Sequence, residues 1–338
     1  MWIWDKRQEL GKKPKNYLSL DKFPKIQGLD LEKEFNLDSF LETYTHMGFQ
    51  GSNLGMAISI LKEMLEKKTP IYMSFTGNMI SSGNRELITY LVKNKLLAGI
   101  VTSAASIEED VMKSHLPFHL GTFEASGSFL LENTIGRIGN IFVPAERYLY
   151  FERFLNELIP EIYKKQKSLG KVFCTHEITK EIGLHIAKNE YTQKNKETSF
   201  LYWAAVHNIP VFCPGITDGG LGDISTFIKK KYPDFYIDIT GDNQALTKKL
   251  MNEKTAGCIV LGGGLSKHFL LNAAIFRDGF EYAIYLTTAT YFDGSDSGGN
   301  QEEAISWAKI KPQGKRVKVI SDATITFPIL MSALKCRK

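Results

Sequence analysis

Residues 257–276, GCIVLGGGLSKHFLLNAAIF, contain the unit that decides the fold. The apolar run Gly257–Leu261 is strand-like, three glycines follow it, and Lys267–Phe276 has a helical pattern. Helical patterns also separate the other strand-like runs, which are Ile71–Phe75, Gly99–Thr102, Ile209–Cys213, Phe235–Ile239, Tyr282–Leu286 and Val317–Ile320. This alternation predicts an α/β fold: one doubly wound, mostly parallel, Rossmann-like sheet with helices on both faces.

The chain is predicted to divide into two parts. Residues 1–45 are predicted to form an N-terminal arm and a first helix, and residues 46–338 a single catalytic domain. The apolar tip Trp2-Ile3-Trp4 is expected to pack on a neighbouring subunit, because it would be unfavourable in water. Residues 151–200 interrupt the alternation with a long helical pattern and a Lys/Asn-rich stretch, which is predicted to be an exposed loop.

Composition excludes several classes of protein. The 338 residues carry a net charge of +5, too mild to indicate nucleic-acid binding. Four cysteines lie far apart and form no CxxC motif, so we expect no zinc or other metal site and a reducing, cytoplasmic location. The first residues lack the apolar segment of a signal peptide, and no apolar run reaches membrane-spanning length, so no membrane partner is expected.

Polar, glycine-containing motifs follow five of the strand-like runs. In parallel sheets of this kind, ligands bind beyond the carboxyl ends of the strands. Each motif could also have a purely structural role. Gly262-Gly263-Gly264 could form a tight turn, Ser81 and Asp322 could cap helices, and Asp218 and Asp223 could form turns. Together at one sheet edge, they favour a binding site. The glycines do not fit GxGxxG, so a dinucleotide would have to be held by other loops.

Residues 292–310, FDGSDSGGNQEEAISWAKI, combine acids, an indole and an amine. Carboxylates neutralise ammonium groups, an aromatic face attracts cations, and an unprotonated lysine can attack an imine carbon. The segment could therefore hold a polycation beside a nucleophile. The alternative is a solvated helix start whose acidic first turn favours the helix dipole.

Nine ordered motifs between Gly48 and Pro328 resemble the deoxyhypusine synthase family. They are GlyPheGln 48–50, AsnMetIleSerSerGly 78–83, IleGluGluAsp 107–110, ArgIleGlyAsn 137–140, ThrAspGlyGlyLeuGlyAsp 217–223, LeuGlyGlyGlyLeuSerLysHis 261–268, PheAspGlySerAspSerGly 292–298, GluAlaIleSerTrpAlaLys 303–309 and SerAspAla 321–323. The resemblance implies an NAD-dependent transferase that moves the aminobutyl group of spermidine, through an enzyme–lysine imine, to a lysine of the initiation factor 5A precursor. It also implies a homotetramer with sites at dimer interfaces.

The resemblance assigns roles to residues of this chain. It implies Lys309 as the nucleophile, with His268 and Glu109 as further catalytic residues. For NAD it implies Gly77, Asn78, Met79, Ile80, Ser81, Ser103, Ala104, Ala105, Glu109, Asp218, Thr288, Ala289, Asp322 and Ala323. For the polyamine it implies Glu108, Glu109, Asp223, Gly263, His268, Gly294, Ser295, Asp296, Glu303, Trp307 and Lys309. Lys267 and Lys311 are expected to matter much less than Lys309.

Some positions depart from the family pattern. Ala105-Ser106 stands where the family usually has two glycines, Gly77 where a serine is common, and Ala308 where glycine is frequent. Residues 297–303, SerGlyGlyAsnGlnGluGlu, lack a common ArgProAsp. Two alternatives stay open: a homospermidine synthase that uses putrescine as acceptor, and a non-catalytic, NAD-binding paralogue that activates a partner subunit. The intact Lys309 argues against the second.

Overall fold

A computed structural model describes residues 20–336, so the Trp2-Ile3-Trp4 tip lies outside the described residues. Residues 20–36 are exposed and contain one 3-10 turn, Leu20–Lys22. They lead into helix α1, Leu37–His46, whose first turn is capped by the Asn36 side chain. The backbone amide of Gln27 donates to the carbonyl of His46 at 3.1 Å, which holds this segment beside the end of α1.

Six parallel strands form the central sheet, as the alternating pattern predicted. They are β1 Ile71–Ser74, β2 Gly99–Val101, β7 Val211–Phe212, β9 Gly257–Leu261, β10 Phe280–Thr287 and β11 Ile310–Ile320. Their order across the sheet is β11-β10-β9-β1-β2-β7, and every neighbouring pair is parallel. In chain order, β1 lies in the middle of the sheet, β2 and β7 extend it on one side, and β9, β10 and β11 extend it on the other side. The order therefore reverses between β1 and β9.

Helices surround this sheet. They are α2 Phe49–Glu66, α3 Asn78–Ser81, α4 Asn84–Lys93, α5 Ala104–His115, α6 Gly127–Glu132, α7 Glu146–Leu169, α8 Thr175–Ile186, α9 Phe200–His207, α10 Gly220–Lys231, α11 Ile239–Met251, α12 Gly264–Ala274, α13 Gln301–Ser306 and α14 Ala323–Ser332. In residues 20–336, none of the helices has both the length and the apolar composition needed to cross a membrane. Residues 193–198, in the Lys/Asn-rich stretch, form a 3-10 turn with no buried residue.

Both faces of the sheet are buried, which explains why its strands are continuous apolar runs. Along β9, Ile259 and Leu261 join the core beneath α2, α4, α5 and α14, whereas Cys258 and Val260 join the core beneath α11, α12 and α13. Successive side chains of a strand point to opposite faces, so one apolar run feeds two cores. This is the doubly wound arrangement that the sequence predicted.

Two smaller sheets stand apart from the central one. Strands β3 His119–Leu120, β4 Ile135–Ile138 and β5 Ile141–Pro144 form an antiparallel sheet that the sequence pattern did not indicate. The predicted strand at Phe235–Ile239 shortens to β8, Ile237–Asp238, and pairs with β6, Phe173–Cys174, outside the main sheet. The apolar run was recognised correctly as a strand, but its partner, more than sixty residues away, could not be read from local pattern.

The helical pattern predicted over Glu302–Lys309 ends earlier than expected, at Ser306. Ala308 is left-handed, with φ +55°, and its amide donates to Ile305 while the amide of Lys309 donates to Ala304, both at 2.8 Å. These two bonds are the Schellman pattern that ends a helix. Lys309 consequently lies just past the helix and immediately before β11.

A buried ion pair joins three of the helices. Arg85 Nε on α4 lies 2.7 Å from Asp110 Oδ1 on α5, and both side chains are at most 3% exposed. The other carboxylate oxygen of Asp110 accepts from Ser199 Oγ at 2.6 Å and from the amide of Leu201, at the start of α9. A second guanidinium nitrogen of Arg85 donates to Ser114 Oγ. This network fixes the rotation of α5 relative to α4 and α9.

Replacing Arg85 should therefore destabilise the fold strongly. Arg85→Met leaves the Asp110 carboxylate buried without its cation, and breaking a buried pair in this way costs about 3–5 kcal/mol. The matched control is Lys93→Met, which removes the cation of an exposed pair with Glu197, 2.9 Å apart, and should cost at most about 1 kcal/mol. Urea unfolding measures both. Equal losses in the two variants would contradict the structural importance of the buried pair.

Candidate active site

The loops singled out by the sequence meet at the carboxyl edge of the sheet. The loop after β1 carries Asn78, the loop after β9 carries Gly263, the segment after β10 carries Asp296, and Asp322 follows β11. Because all six strands are parallel, these loops share one edge. Strands β1 and β9 flank the point where strand order reverses, and in sheets of this class the crevice at such a point is the usual ligand site.

Two consecutive acids of α5 lie buried beside this crevice. Ser81 Oγ donates to Glu109 Oε2 at 2.6 Å, which joins α5 to the loop after β1. Burial is the main cause that raises the pKa of Glu109 to about 8. The nearby charge of Glu108 also raises this pKa, whereas the hydrogen bond from Ser81 lowers it. At neutral pH Glu109 is therefore mostly protonated, which is unusual for a carboxyl group.

Glu108 is a buried carboxylate with an unsatisfied oxygen. Burial raises its pKa; the amides of Gly220 and Leu221 oppose that rise, and the charges of Asp223 and Asp218 add to it. A Cβ on Gly220 would lie 3.0 Å from Glu108 Oε2, so the carboxylate rests against the glycine turn. Oε2 has no hydrogen-bond partner among the described residues. The four acids Glu108, Glu109, Asp218 and Asp223 thus form a cluster whose nearby cation, Lys113, acts on Glu109 while its amine donates to backbone carbonyls.

Lys113, also on α5, stabilises the loop that follows β1. Its Nζ donates to three backbone carbonyls, those of Ile80, Ser81 and Ser82, at 2.8, 3.1 and 3.1 Å. These carbonyls end the one-turn helix α3, where a cation is favoured by the peptide dipoles. Burial lowers the pKa of Lys113. The sequence analysis did not single out Lys113, although it lies only four residues after Glu109.

The loops after β1 and β2 pack closely against each other. The Gly77 amide donates to Ser103 Oγ at 3.1 Å. A Cβ built on Gly77 would lie 2.6 Å from the Ala105 methyl, closer than two carbons can approach. Ser106 is fully buried, and its hydroxyl accepts from Thr102 Oγ1 at 2.6 Å. The two departures from the family pattern at 77 and 105 are therefore in contact, and the missing side chain at one makes room for the methyl at the other.

A cavity of about 610 Å³ opens beside these loops. Asn78, Ser81 and Asp322, which the resemblance assigns to NAD, line one side of it. The other side comes from the small antiparallel sheet and its approach, including Phe118 and Asn140. The ArgIleGlyAsn motif at 137–140 thus has a place in the site as the turn between β4 and β5, a role that its sequence alone did not reveal.

A second group of polar residues surrounds Lys267. Its side chain is buried, its Nζ donates to the backbone carbonyl of Asp296, and it lies 3.9 Å from Asp296 Oδ2. Burial lowers the pKa of Lys267, the charges of Asp296 and Glu303 raise it, and those of Lys318 and Lys309 lower it. Glu303, Asp296 and Lys309 therefore lie within electrostatic range of one ammonium group. Because Lys267 itself makes these contacts, it is not suitable as the control position for Lys309 that the sequence suggested.

The glycine loop contacts this second group directly. A Cβ on Gly263 would lie 2.4 Å from Ser297 Cα, so only glycine lets the loop after β9 approach the 295–298 turn. That turn is capped by the Ser295 side chain, which accepts from the Gly298 amide. Lys309 reaches the group from a different direction, because it precedes β11 and its carbonyl accepts from the Phe280 amide at 3.0 Å, at the amino end of the sheet.

The remaining predicted residues occupy positions around these two groups. Met79 and Ile80 are buried in α3, and Ala104 begins α5. His268 is exposed on α12, where its Nδ1 lies 3.1 Å from Asn272 Nδ2. Trp307 is 63% exposed. Gly294 and Thr288 are exposed, Ala289 and Ala323 are half-buried, and all four lie in segments that follow β10 or β11. Among the described residues, no contact joins Trp307 or His268 to the acids of α5.

Comparison with known proteins gives a consistent result. The profile of the deoxyhypusine synthase family matches residues 39–334. The chain is 44% identical over 314 residues to a probable deoxyhypusine synthase of Methanocaldococcus jannaschii, covering 90% of this chain and 95% of the relative. It is 37% identical over 352 residues to deoxyhypusine synthase of Musa acuminata, covering 96% and 92%. A crystal structure of a putative deoxyhypusine synthase from Entamoeba histolytica superposes with TM-score 0.65 at 28% identity, covering 91% and 96%.

A double-mutant cycle tests the contact between positions 77 and 105. Gly77→Ser should lower stability by about 1–3 kcal/mol, the usual cost of overpacking, because the new Cβ meets the Ala105 methyl. The backbone at Gly77 is right-handed, so steric contact alone opposes the serine. Adding Ala105→Gly should recover most of the loss, and thermal melting of the two single variants and the double variant measures the coupling. Additive losses would show that the two positions act independently.

The raised pKa of Glu109 predicts a specific dependence of stability on pH. The folded chain holds the Glu109 proton up to about pH 8, whereas an ordinary carboxyl releases it near 4.5. The stabilisation by this proton is complete below about 4.5 and is lost as the pH rises through 8. Relative to wild type, Glu109→Gln should therefore gain stability as the pH rises from 4.5 to 8 and then level off.

Melting temperatures of wild type and Glu109→Gln across this pH range make the measurement. Glu132→Gln, at an exposed acid on α6, is the control for a simple change of surface charge. Parallel curves for wild type and Glu109→Gln would show that the Glu109 carboxyl ionises normally.

Proposed function

The chain belongs to the deoxyhypusine synthase family, and from that premise we propose that it is an NAD-dependent transferase acting on spermidine. It moves the aminobutyl group of spermidine, through an imine on Lys309, to one lysine of the initiation factor 5A precursor. Its location is then the cytoplasm, where translation factors work.

The acid cluster on α5 and α10 is the observation that carries this proposal. Within residues 20–336, the buried Oε2 of Glu108 meets no hydrogen-bond partner by geometry, and the charges of Asp218 and Asp223 raise the pKa of Glu108. A buried anion without a cation is costly, so this site favours a positively charged ligand. Spermidine carries cationic amines separated by methylenes. Binding of one ammonium group would also favour ionisation of Glu109 and release of its proton.

The residues around the cavity after β1 suit NAD. The cavity has both polar and apolar lining residues and includes the loop after β1, one of the two strands that flank the strand-order reversal, where dinucleotides bind in sheets of this class. Asn78, Ser81 and Asp322 would hold the cofactor, with the Ser103–Ala105 turn beneath it. Bound there, NAD supplies the acceptor for a hydride from spermidine and later the donor of that hydride. Lys113 contributes by fixing the carbonyls that end α3.

Lys309 is the proposed nucleophile. The Lys309 amide donates to the Ala304 carbonyl, and the Lys309 carbonyl accepts from the Phe280 amide. These two hydrogen bonds fix the backbone from which the side chain extends. Asp296 and Glu303 are acids of the right type to hold the other end of the polyamine, and the exposed Trp307 face can contact its methylenes. The charge of Lys309 acts on the buried ammonium of Lys267, so the two amines lie within electrostatic range of each other.

The proposed reaction conserves atoms in four steps. Spermidine loses a hydride from the carbon beside its secondary amine and becomes an imine. The Lys309 amine adds to that carbon and expels 1,3-diaminopropane, which leaves an aminobutyl imine on the enzyme. The acceptor lysine displaces Lys309, and the hydride returns to give the secondary amine. His268 and Glu109 are the proposed proton carriers, since each exchange moves a proton between amines.

We also propose that the chain acts as a homotetramer. Large apolar side chains are exposed near the site, with Phe49 at 99%, Phe292 at 84% and Trp307 at 63%. Such residues in water indicate surfaces that another chain covers. Light scattering at micromolar concentration should give four times the 38.1 kDa chain mass. A stable monomer at that concentration would contradict this assembly.

A labelling experiment tests the function. The protein is incubated with NAD and spermidine labelled in its aminobutyl part, together with either the factor 5A precursor or putrescine. Label should pass to the precursor and to one lysine of it. Label in putrescine alone would instead identify a homospermidine synthase, and NAD binding without any transfer would identify a non-catalytic paralogue.

Lys309→Arg serves as the decisive variant in the same assay. Arginine keeps the charge but stays protonated, so transfer should be lost and no enzyme-bound imine should be trapped by borohydride. NAD binding, measured as an increase in melting temperature, should persist. Lys311→Arg is the control, because Lys311 lies two residues further on and pairs with Glu281 at 2.6 Å. Wild-type transfer by Lys309→Arg would refute the assignment.

A further inference from the structure

Three potential metal ligands meet at a point outside the proposed catalytic residues. Cys174 ends β6, His176 lies in the first turn of α8, and Asp242 lies in the first turn of α11. One donor atom from each lies within 4.8 Å of the other two. Strands β6 and β8 are parallel and both lead into helices, so the first turns of α8 and α11 come together. We infer that Cys174, His176 and Asp242 form a zinc-binding site.

The donor set and its exposure fit this ion. Zinc binds thiolate, imidazole and carboxylate ligands, and a site with three protein ligands keeps a fourth position for water. Cys174 and Asp242 are buried, whereas the His176 side chain is 24% exposed, which leaves one open side for entry of the ion and for that water. A thiolate and a carboxylate together neutralise a divalent ion, so the occupied site carries no net charge into the interior.

Hydrogen bonds around the cluster already orient the ligands. Asp242 Oδ2 accepts from the Thr175 amide at 3.0 Å and from the Thr175 hydroxyl, which leaves Oδ1 facing His176 Nδ1 at 2.5 Å. Fixed outer bonds of this kind are typical of metal ligands. A tetrahedral ion needs ligand separations of roughly 3–4 Å. Binding therefore requires Oδ1 and Nδ1 to part by about 1 Å and the sulfur to approach.

Helix capping by Asp242 alone explains only part of this arrangement. Capping of α8 uses the Asp242 carboxylate, the amides of Thr175 and His176, and the Cys174 side chain, which accepts from the Glu177 amide, but it requires no imidazole. A glycine makes room for the sulfur, since a Cβ on Gly241 would lie 2.4 Å from Cys174 Sγ. No metal site was predicted from the sequence, because the cysteines form no CxxC motif. Cys174 and His176 are separated from Asp242 by more than sixty residues, so only the fold brings the set together.

Binding would exchange a proton for the ion. The divalent ion forms its bond to sulfur as the thiol proton leaves to solvent. It then adds a link from β6 and α8 to α11, beside the two-residue pairing of β6 with β8 and the bonds from the Thr175 and His176 amides to Asp242.

Cobalt provides the test, because Co²⁺ occupies zinc sites and a thiolate bond to it gives a near-ultraviolet charge-transfer band. The full chain, without a histidine tag, is stripped with a chelator and titrated with Co²⁺ in the presence of reductant. One equivalent should bind with the thiolate band, and Zn²⁺ should displace it. Zn²⁺ should also raise the melting temperature of the stripped wild type.

Two variants and one control decide the outcome. Cys174→Ser should lose the thiolate band, and Zn²⁺ should no longer raise its melting temperature. His176→Ala, at the partly exposed ligand, should weaken Co²⁺ binding by more than the roughly 10- to 100-fold that loss of an outer-shell partner costs. Cys336→Ser, at a half-buried cysteine outside the cluster, should behave as wild type.

Absence of the band in wild type, or its persistence in Cys174→Ser, would overturn the zinc site. If Cys174→Ser fails to fold, His176→Ala decides alone, and unchanged Co²⁺ affinity in that variant has the same meaning. None of these measurements uses spermidine or NAD, so their result is independent of the proposed transferase activity.

Discussion

The ion pair between Arg85 and Asp110 is the interaction on which the rest of the site depends. One carboxylate binds the guanidinium of α4 through one oxygen and the start of α9 through the other, and so fixes how α5 is rotated. Successive residues of a helix differ by about 100° in direction. With Asp110 turned toward α4 and α9, the two preceding acids, Glu108 and Glu109, are carried toward the crevice. A buried pair gives little net stability, but it can specify an orientation, and here that orientation forms the acid cluster.

The crevice concentrates groups that a stable fold would otherwise avoid. In the described part of the chain, one oxygen of Glu108 has no hydrogen-bond partner, burial raises the pKa of Glu109 to about 8, and burial lowers the pKa of both Lys113 and Lys267. Perturbed groups of this kind cluster at functional sites, because a ligand's charges replace the missing partners. The two lysines differ in what they support: Lys113 holds the carbonyls of the loop after β1, and Lys267 holds the backbone of the 295–298 turn. Each candidate ligand loop thus has its own buried ammonium anchor.

Local patterns predicted the sheet and the positions of its loops, because a run of apolar residues followed by glycines is a property of neighbouring residues. They could not predict pairing at a distance. The run at 235–239 joined β6 instead of the central sheet, and the small antiparallel sheet of β3, β4 and β5 has only two to four residues in each strand. Local sequence patterns were equally unable to show that a charged residue is buried. Lys267 looks from sequence like a solvated helix-start lysine, and its anchoring of Asp296 depends on a segment 29 residues further along.

The departures from the family pattern make physical sense in three dimensions. Gly77 and Ala105 are unusual separately, yet the missing Cβ of one leaves the space that the methyl of the other fills. Ala308 has no such compensation: its left-handed backbone, φ +55°, costs an L-residue about 1–2 kcal/mol that glycine would not pay. The chain adopts this conformation because two Schellman bonds and the Phe280 amide enforce it. The same bonds set the backbone of Lys309, so the strain at Ala308 is a direct consequence of turning the chain from α13 into β11 at the proposed nucleophile.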